Sequence, residues 1–281
     1  MMDAMPEGDS VYKAAALLRE ALAGGELTRC DLRVPKLATV DLTGEAVETV
    51  QPRGKHLLTR FSNGWTLHSH LRMEGAWKVY APGAPWRGGP AHQIRAILGT
   101  ARHTAVGYRL PVLELLRTAE ESRVLGHLGP DLLDPGWSPA SAEEAVRRLR
   151  ADPRRPIGEA LLDQRNLAGI GNVYKSELCF LSGVTPWTAV DGVPELPSLV
   201  ARARRLLLAN LDRQIRVTTG ETRPGRTLWV YGRKRDACLR CGTRVRVADQ
   251  GALGEERVTY WCPRCQQGPG PRPEARTPGR G

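Results

Sequence analysis

The sequence predicts an α+β multidomain chain: an N-terminal β-sandwich with flanking helices, a helical domain, and a short C-terminal β-hairpin built on cysteines. Three observations carry that expectation. Short apolar runs separated by turn residues fill the chain to about residue 128. Helical periodicity takes over beyond a Pro/Gly-rich stretch at 129–139. Four of the six cysteines then fall in two close pairs near the end. With 281 residues the chain can form two modest cores.

In chain order, a first helix is expected after Asp9 or Ser10, either of which can cap it. Val11, Ala15, Leu18 and Leu22 share one face, and Gly24-Gly25 stops it. Lys55 to Phe61 and Trp65 to Leu71 flank Ser62-Asn63-Gly64, and Asn-Gly is a strong hairpin turn signal. His92 to Leu98 and Val112 to Leu116 also read as strands. Ser141 and Glu144 suggest a capping box for a helix through Arg150. Pro156 opens a second helix through about Asp163, and Val173 to Leu181 forms a third. A fourth runs from Pro197 to about Arg216, with Leu199, Ala203, Leu206 and Asn210 along one side. The domains expected are therefore 5–128, a linker at 129–139, a helical domain at 140–227, a cysteine hairpin at 228–267 and a disordered tail at 268–281.

The formal charge is +11, from 41 Lys and Arg against 30 acids, and only 6 of the 41 are Lys. Such an excess favours polyanions, nucleic acid above all, and Arg suits bidentate phosphate contacts. No apolar run approaches the ~20 residues of a membrane span. The first nine residues lack a hydrophobic signal segment, so a cytoplasmic protein is expected, associated with the nucleoid through DNA.

Cys238-Leu-Arg-Cys241 and Cys262-Pro-Arg-Cys265 are separated by twenty residues. Each pair can set two thiolates on one knuckle, and together they complete a tetrahedral site for one structural zinc. The alternative is free or disulfide-paired cysteine. Arg233, Arg235, Arg240, Arg244, Arg246, Arg257 and Arg264 surround the pairs and suit phosphate contact, although a generic ribbon could equally bind RNA or protein. Cys30 and Cys179 read as buried apolar residues. Leu167 to Tyr174 places Gly169 and Gly171 in a turn before a helix. The helix N-terminus there is a ready anion site, with Asn172 as a side-chain donor to phosphate, although taken alone the segment reads more readily as a plain helix-to-helix turn. In Met5-Pro6-Glu7-Gly8-Asp9, methionine is readily removed before proline. Pro6 would then be an N-terminal secondary amine, partly free base at neutral pH, and Glu7 could shuttle protons beside it; without the other motifs the segment reads as an ordinary helix-leading Pro-Glu.

Together these segments resemble the formamidopyrimidine-DNA glycosylase / endonuclease VIII family, in order from Met5 to Gln266. They include Pro6 to Asp9, Arg53 to Leu57, His70 to Gly75, Leu162 to Gln164, Ala168 to Tyr174, Trp229 to Arg233 and Arg257 to Gln266. The resemblance implies a two-domain clamp on duplex DNA, with a helix–two-turn–helix domain, a zinc finger and a flipped-out lesion. It implies Pro6 as nucleophile, Glu7 as acid and base, and Lys55 near the lesion phosphates. Asn172 and Arg257 would hold flanking phosphates. Arg72, Met73 and Glu74 would fill the gap in the base stack, Met73 as the wedge. Met73 as a core methionine is the competing reading. The partner implied is double-stranded DNA carrying oxidised bases or abasic sites, bound by a monomer. Oxidised pyrimidines lead, with ring-opened purines as the alternative, because Pro6 to Asp9 and the short segment from Val217 to Thr227 resemble the endonuclease VIII branch. β- and then δ-elimination would follow base loss, with no catalytic metal or organic cofactor. If Met1 to Met5 are retained, Pro6 is an amide, and the chain becomes a catalytically silent binder of damaged DNA. A misassigned start at Met1 is the expectation.

Overall fold

The structure is a computed structural model and describes residues 5–271. The leader Met1 to Ala4 and most of the tail expected to be disordered, 272–281, lie outside the described residues.

Helix α1 (Gly8–Leu22) opens the chain. Eight strands follow: β1 (Arg29–Leu32), β2 (Val47–Arg53), β3 (His56–Phe61), β4 (Trp65–His70), β5 (Ala76–Tyr80), β6 (Ile94–Gly99), β7 (Thr104–Tyr108) and β8 (Val112–Arg117). They form two four-stranded antiparallel sheets, ordered β1-β6-β7-β5 and β2-β3-β4-β8. Leu57, Phe61 and Leu67 of one sheet meet Leu32, Ala96, Leu98 and Ala105 of the other, an inward-facing alternation typical of a sandwich. The predicted face of α1, Val11, Ala15, Leu18 and Leu22, is buried in the same core. The Asn-Gly turn is present, with Gly64 at φ 77°.

Strands β1, β2, β5 and β7 go beyond the sequence reading. In β2 a bulge between Val47 and Thr49 breaks the alternation, and Pro52 masks the strand signal. Two caps also differ from expectation. Helix α1 begins at Gly8 with Glu7 as its N-cap residue, because the Asp9 carboxylate is engaged elsewhere. After the short α2 (Ser122–Leu125), helix α3 (Pro139–Arg150) is capped by a Ser138–Ser141 box, while Glu144 bonds Arg147 and Arg148.

Helices α4 (Ile157–Leu162), α5 (Asn172–Leu181) and α6 (Leu196–Leu208) complete the second core with α3, around Leu149, Leu161, Tyr174, Leu178, Leu199 and Leu207. Helix α6 stops eight residues short of the expected end. The Asn210 amide donates to the Leu206 and Val217 carbonyls and accepts from Val217 N–H, which turns the chain. Strands β9 (Arg246–Gln250) and β10 (Arg257–Trp261) form the terminal hairpin. It packs on Phe180 of α5 through Val230, Val245, Cys238 and Cys262.

Three glycines let the two domains meet. Gly8 N–H donates to Gly169 O at 2.8 Å, and a Cβ on Gly8 would lie 3.0 Å from Gly169 Cα. Gly54, at φ 57° in the β2–β3 turn, abuts Ala168 and donates its N–H to Asp131 Oδ2 at 2.7 Å. Beside it, Arg53 pairs with Asp134. These contacts bring Glu7, Lys55 and the Gly169–Asn172 turn to one place.

Candidate active site

Glu7 is fully buried, and its carboxylate lies on the first turn of α5. It accepts hydrogen bonds from Gly171 N at 2.6 Å, Val173 N at 2.7 Å and Tyr174 N at 3.3 Å. Unpaired amides and the helix dipole favour an anion there. The anion at this N-terminus, expected from sequence to be a phosphate, is a side chain of the protein itself. Gly171 is required because a Cβ there would sit 2.5 Å from Glu7 Cδ.

Lys55 follows Gly54 and keeps some accessible surface. The protein around its amine removes enough water to lower its pKa to about 8; Arg216 and Arg257 add to the fall, and Glu7 and Asp9 oppose it. Next to it, His56 Nδ1 and His68 Nε2 are 2.8 Å apart, and His68 Nδ1 is 2.8 Å from Glu114 Oε1. Burial, then the neighbouring cations and imidazoles, pulls His56 down to about 3 and His70 to about 4. Both rings are neutral at physiological pH.

Asn172 is 4% exposed, and its Nδ2 donates to Val258 O of β10 at 2.7 Å while its Oδ1 is buried without a protein partner. Lys175, one turn along α5, donates to Thr259 Oγ1 at 2.5 Å, and Thr259 Oγ1 donates to Arg257 O at 2.9 Å. Helix α5 thus grips the strand that carries Arg257. The Arg257 guanidinium itself is exposed, touching only the carbonyls of Glu255 and Glu256. Arg72, Met73 and Glu74 lie beyond β4. Arg72 takes a left-handed φ of 47°, its N–H held by His70 Nδ1 at 2.9 Å. Met73 is 64% exposed, which excludes the core reading.

Several structural groups carry no local sequence signal. Asp9 is bridged by Arg216 at 2.5 and 2.9 Å and by Tyr174 Oη at 2.9 Å. Burial opposes ionisation of Asp9, but the Arg216 contacts outweigh it and hold the carboxyl below its usual range. Glu177, buried in α5, accepts from Trp229, Val230 and Tyr231 N–H and from the Thr218 hydroxyl, folding residues 218–231 onto the helix. Of the arginines assigned to phosphate, Arg240 stacks over Phe180 and Trp229, and Arg233 donates to two carbonyls of its own hairpin.

The four paired cysteines converge. Their sulfurs all lie within 4.8 Å of one another, with Cys238–Cys265 at 3.9 Å and Cys241–Cys262 at 3.5 Å. No two are joined as a disulfide. Four thiolates at 2.3 Å from a tetrahedral ion would be about 3.8 Å apart, so the group could hold one metal ion. Cys179 is buried as expected, whereas Cys30 is half-buried. No helix among the described residues is long and apolar enough to cross a membrane.

The class defined by this fold and site is a two-domain protein in which a β-sandwich and a helical domain meet over a buried glutamate, with a four-cysteine hairpin locked to the same helix. The chain belongs to the formamidopyrimidine-DNA glycosylase family: residues 5–109 match its N-terminal domain and residues 128–218 its H2TH domain. It is 66% identical over 278 residues to the probable endonuclease 8 2 of Streptomyces coelicolor, covering 97% of this chain and 98% of that one. It is 50% identical over 263 residues to the DNA-(apurinic or apyrimidinic site) lyase Nei2 of Mycolicibacterium smegmatis, covering 93% and 99%. Its fold matches the formamidopyrimidine-DNA glycosylase of Lactococcus lactis, solved non-covalently bound to DNA containing an AP site. That match has a TM-score of 0.75 at 22% identity, and covers 94% of this chain and all of the other.

Proposed function

We propose that the protein is a DNA glycosylase and abasic-site lyase of base excision repair, acting as a monomer on double-stranded DNA. Oxidised pyrimidines are its favoured lesions, and its nucleophile is the Pro6 amine exposed by removal of Met5. The observation that carries this reading is the Glu7 carboxylate. It is held by three amides directly after Pro6, in a site that also gathers Lys55 and Arg257. Relatives named as endonuclease 8 and as a lyase support it.

The Pro6 lone pair attacks C1′ as the C1′–base bond breaks and the base leaves with that electron pair. Glu7 takes the N–H proton that the attack leaves on the Pro6 nitrogen and gives it to O4′ as the sugar ring opens, and the freed nitrogen lone pair forms the iminium. The iminium acidifies C2′, and loss of that proton expels the 3′ phosphate; a second elimination expels the 5′ phosphate. Water then hydrolyses the iminium and restores the amine. Lys55, Asn172 and Arg257 serve the phosphates beside the lesion. Arg72, Met73 and Glu74 enter the gap left in the stack, where an exposed, deformable methionine suits the wedge. The cysteine cluster would hold one zinc ion, whose chemistry is structural because four thiolates close its shell.

Borohydride trapping on duplex DNA with an oxidised pyrimidine or an abasic site tests the reading. A chain starting at Met5 should be processed, trap and cut. A chain shown by mass spectrometry to keep Met1 to Met5 should bind DNA and trap nothing. Equal trapping by both would remove Pro6 as nucleophile and favour the silent-binder alternative for neither; Lys55 would then be the amine to test.

A further inference from the structure

Arg216 is a buried cation that the chemistry above does not use. It lies beyond α6, and its side chain is 4% exposed. Two of its nitrogens close the bridge on Asp9, and Nη2 also reaches Ser10 Oγ at 3.1 Å. Its guanidinium lies over the Tyr174 ring at 4.9 Å, and the Tyr174 hydroxyl completes the Asp9 site. The remaining nitrogen, Nη1, faces away from Asp9. It is 3.7 Å from Glu7 Oε1 and 3.3 Å from Met5 O. That carbonyl belongs to the peptide whose nitrogen is Pro6 N, and the two atoms of one peptide are about 2.3 Å apart. Nη1 therefore lies within about 5.6 Å of the Pro6 nitrogen.

We propose that Arg216 is a positioning residue for the Pro6 amine: its Asp9 bridge fixes the N-terminal segment against the helical domain, and its Nη1 disfavours protonation of the nucleophile. This inference rests on the reading of Pro6 as that nucleophile. Only the neutral amine attacks carbon, and a cation within about 6 Å favours the neutral form. The charged and titratable groups gathered here are Glu7 at the N-cap of α1, Asp9 and Lys13 of α1, Lys55 of the β2–β3 turn, Tyr174 and Lys175 of α5, Arg216, Tyr231, and Arg257 of β10. The two acids would favour a protonated amine. Three backbone amides engage Glu7 and two Arg216 nitrogens engage Asp9, while Nη1, 3.7 Å from Glu7 Oε1 and 3.3 Å from Met5 O, is the guanidinium nitrogen nearest the chain end. The planar fork of Arg lets one residue hold a carboxylate with two nitrogens and present a third elsewhere, which a lysine cannot do.

The test is single-turnover borohydride trapping on an abasic-site duplex, from acid to alkaline pH, with full-length protein whose N-terminus is verified as Pro6. Arg216→Gln removes the cation and exposes the amine to Asp9, so the acid limb of the profile should move up by about one pH unit. Asp9→Asn leaves Arg216 unneutralised, and the limb should move down. Arg216→Lys should stay closer to wild type than Arg216→Gln. A merely structural role would lower rates in all variants without moving the limbs in opposite directions, and that result overturns the proposal. Circular dichroism checks folding. Where Arg216→Gln does not fold, Asp9→Asn decides alone, and a limb that fails to move down overturns the inference. An adduct that maps to a lysine in the wild type overturns the Pro6 reading itself. Trapping through Pro6 with unmoved limbs overturns only the role of Arg216.

Discussion

Lys55 shows how a single residue takes its properties from its surroundings. Its amine has an ordinary pKa of 10.5, and burial brings it to about 8. Between those values the folded lysine is largely neutral while the unfolded one still binds a proton. The group therefore opposes folding below about pH 8, and its cost fades as pH rises through that window. Its proposed work needs the opposite, a cation for the lesion phosphate. Affinity for abasic-site DNA should accordingly fall as pH passes about 8, and Lys55→Arg should flatten that fall, measured by fluorescence anisotropy across pH. Lys55→Gln should weaken binding or strand cutting roughly 10–100-fold, the worth of a charged hydrogen bond. Equal affinity of wild type and Lys55→Gln at neutral pH would remove Lys55 from the phosphate site.

Helix α5 is the element on which the site turns. Its N-terminus holds Glu7, Asn172 and Lys175 hold β10, Glu177 folds residues 218–231, and Phe180 receives the cysteine hairpin. Gly171→Ala should insert a methyl where the Glu7 carboxyl lies, with a backbone φ of −123° that alanine tolerates. We expect a fold destabilised by about 1–3 kcal/mol and base excision slowed at least tenfold. Thermal denaturation and single-turnover excision would read the two effects; unchanged excision would mean that the placement of Glu7 is not critical. Strand β10 runs from Arg257 to Trp261, directly before Cys262, so about 17 Å of strand links the proposed phosphate ligand to the cysteine cluster. Cys262→Ser should therefore release the metal and also weaken DNA binding about tenfold or more. Elemental analysis with binding assays checks this, and a metal-free wild type of full affinity would count against it.

Across the whole molecule, the charge of +11 favours a polyanionic partner. Arg53 to Asp134 and Gly54 to Asp131 tie the sandwich to the segment leading into α3, so the two domains are joined by these contacts as well as by the chain. Binding through several phosphate contacts releases counterions, so affinity should fall steeply with salt. Arg257→Ala should weaken binding and reduce the slope of log affinity against log salt by about one, because its guanidinium is exposed and satisfied only by carbonyls. A slope unchanged by that substitution would place Arg257 outside the phosphate contacts.

The sequence by itself determined the features that depend on nearby residues. The α1 face from Val11 to Leu22, the turn at Asn63-Gly64, helix α5 and the convergence of the cysteine pairs all follow from period, turn chemistry or short spacing. It was less informative where local signals compete. Ser138 rather than Ser141 caps α3, and a bulge with Pro52 hides β2. Only the tertiary structure decided where the buried charges go. Glu7 finds α5 from 164 or more residues away, Asp9 finds Arg216 across 207, and Asn172 turns to Val258 across 86. No period or spacing encodes such pairs. A buried charge or amide must be satisfied by whichever group the fold brings within hydrogen-bond reach, and that group is chosen by the meeting of two cores.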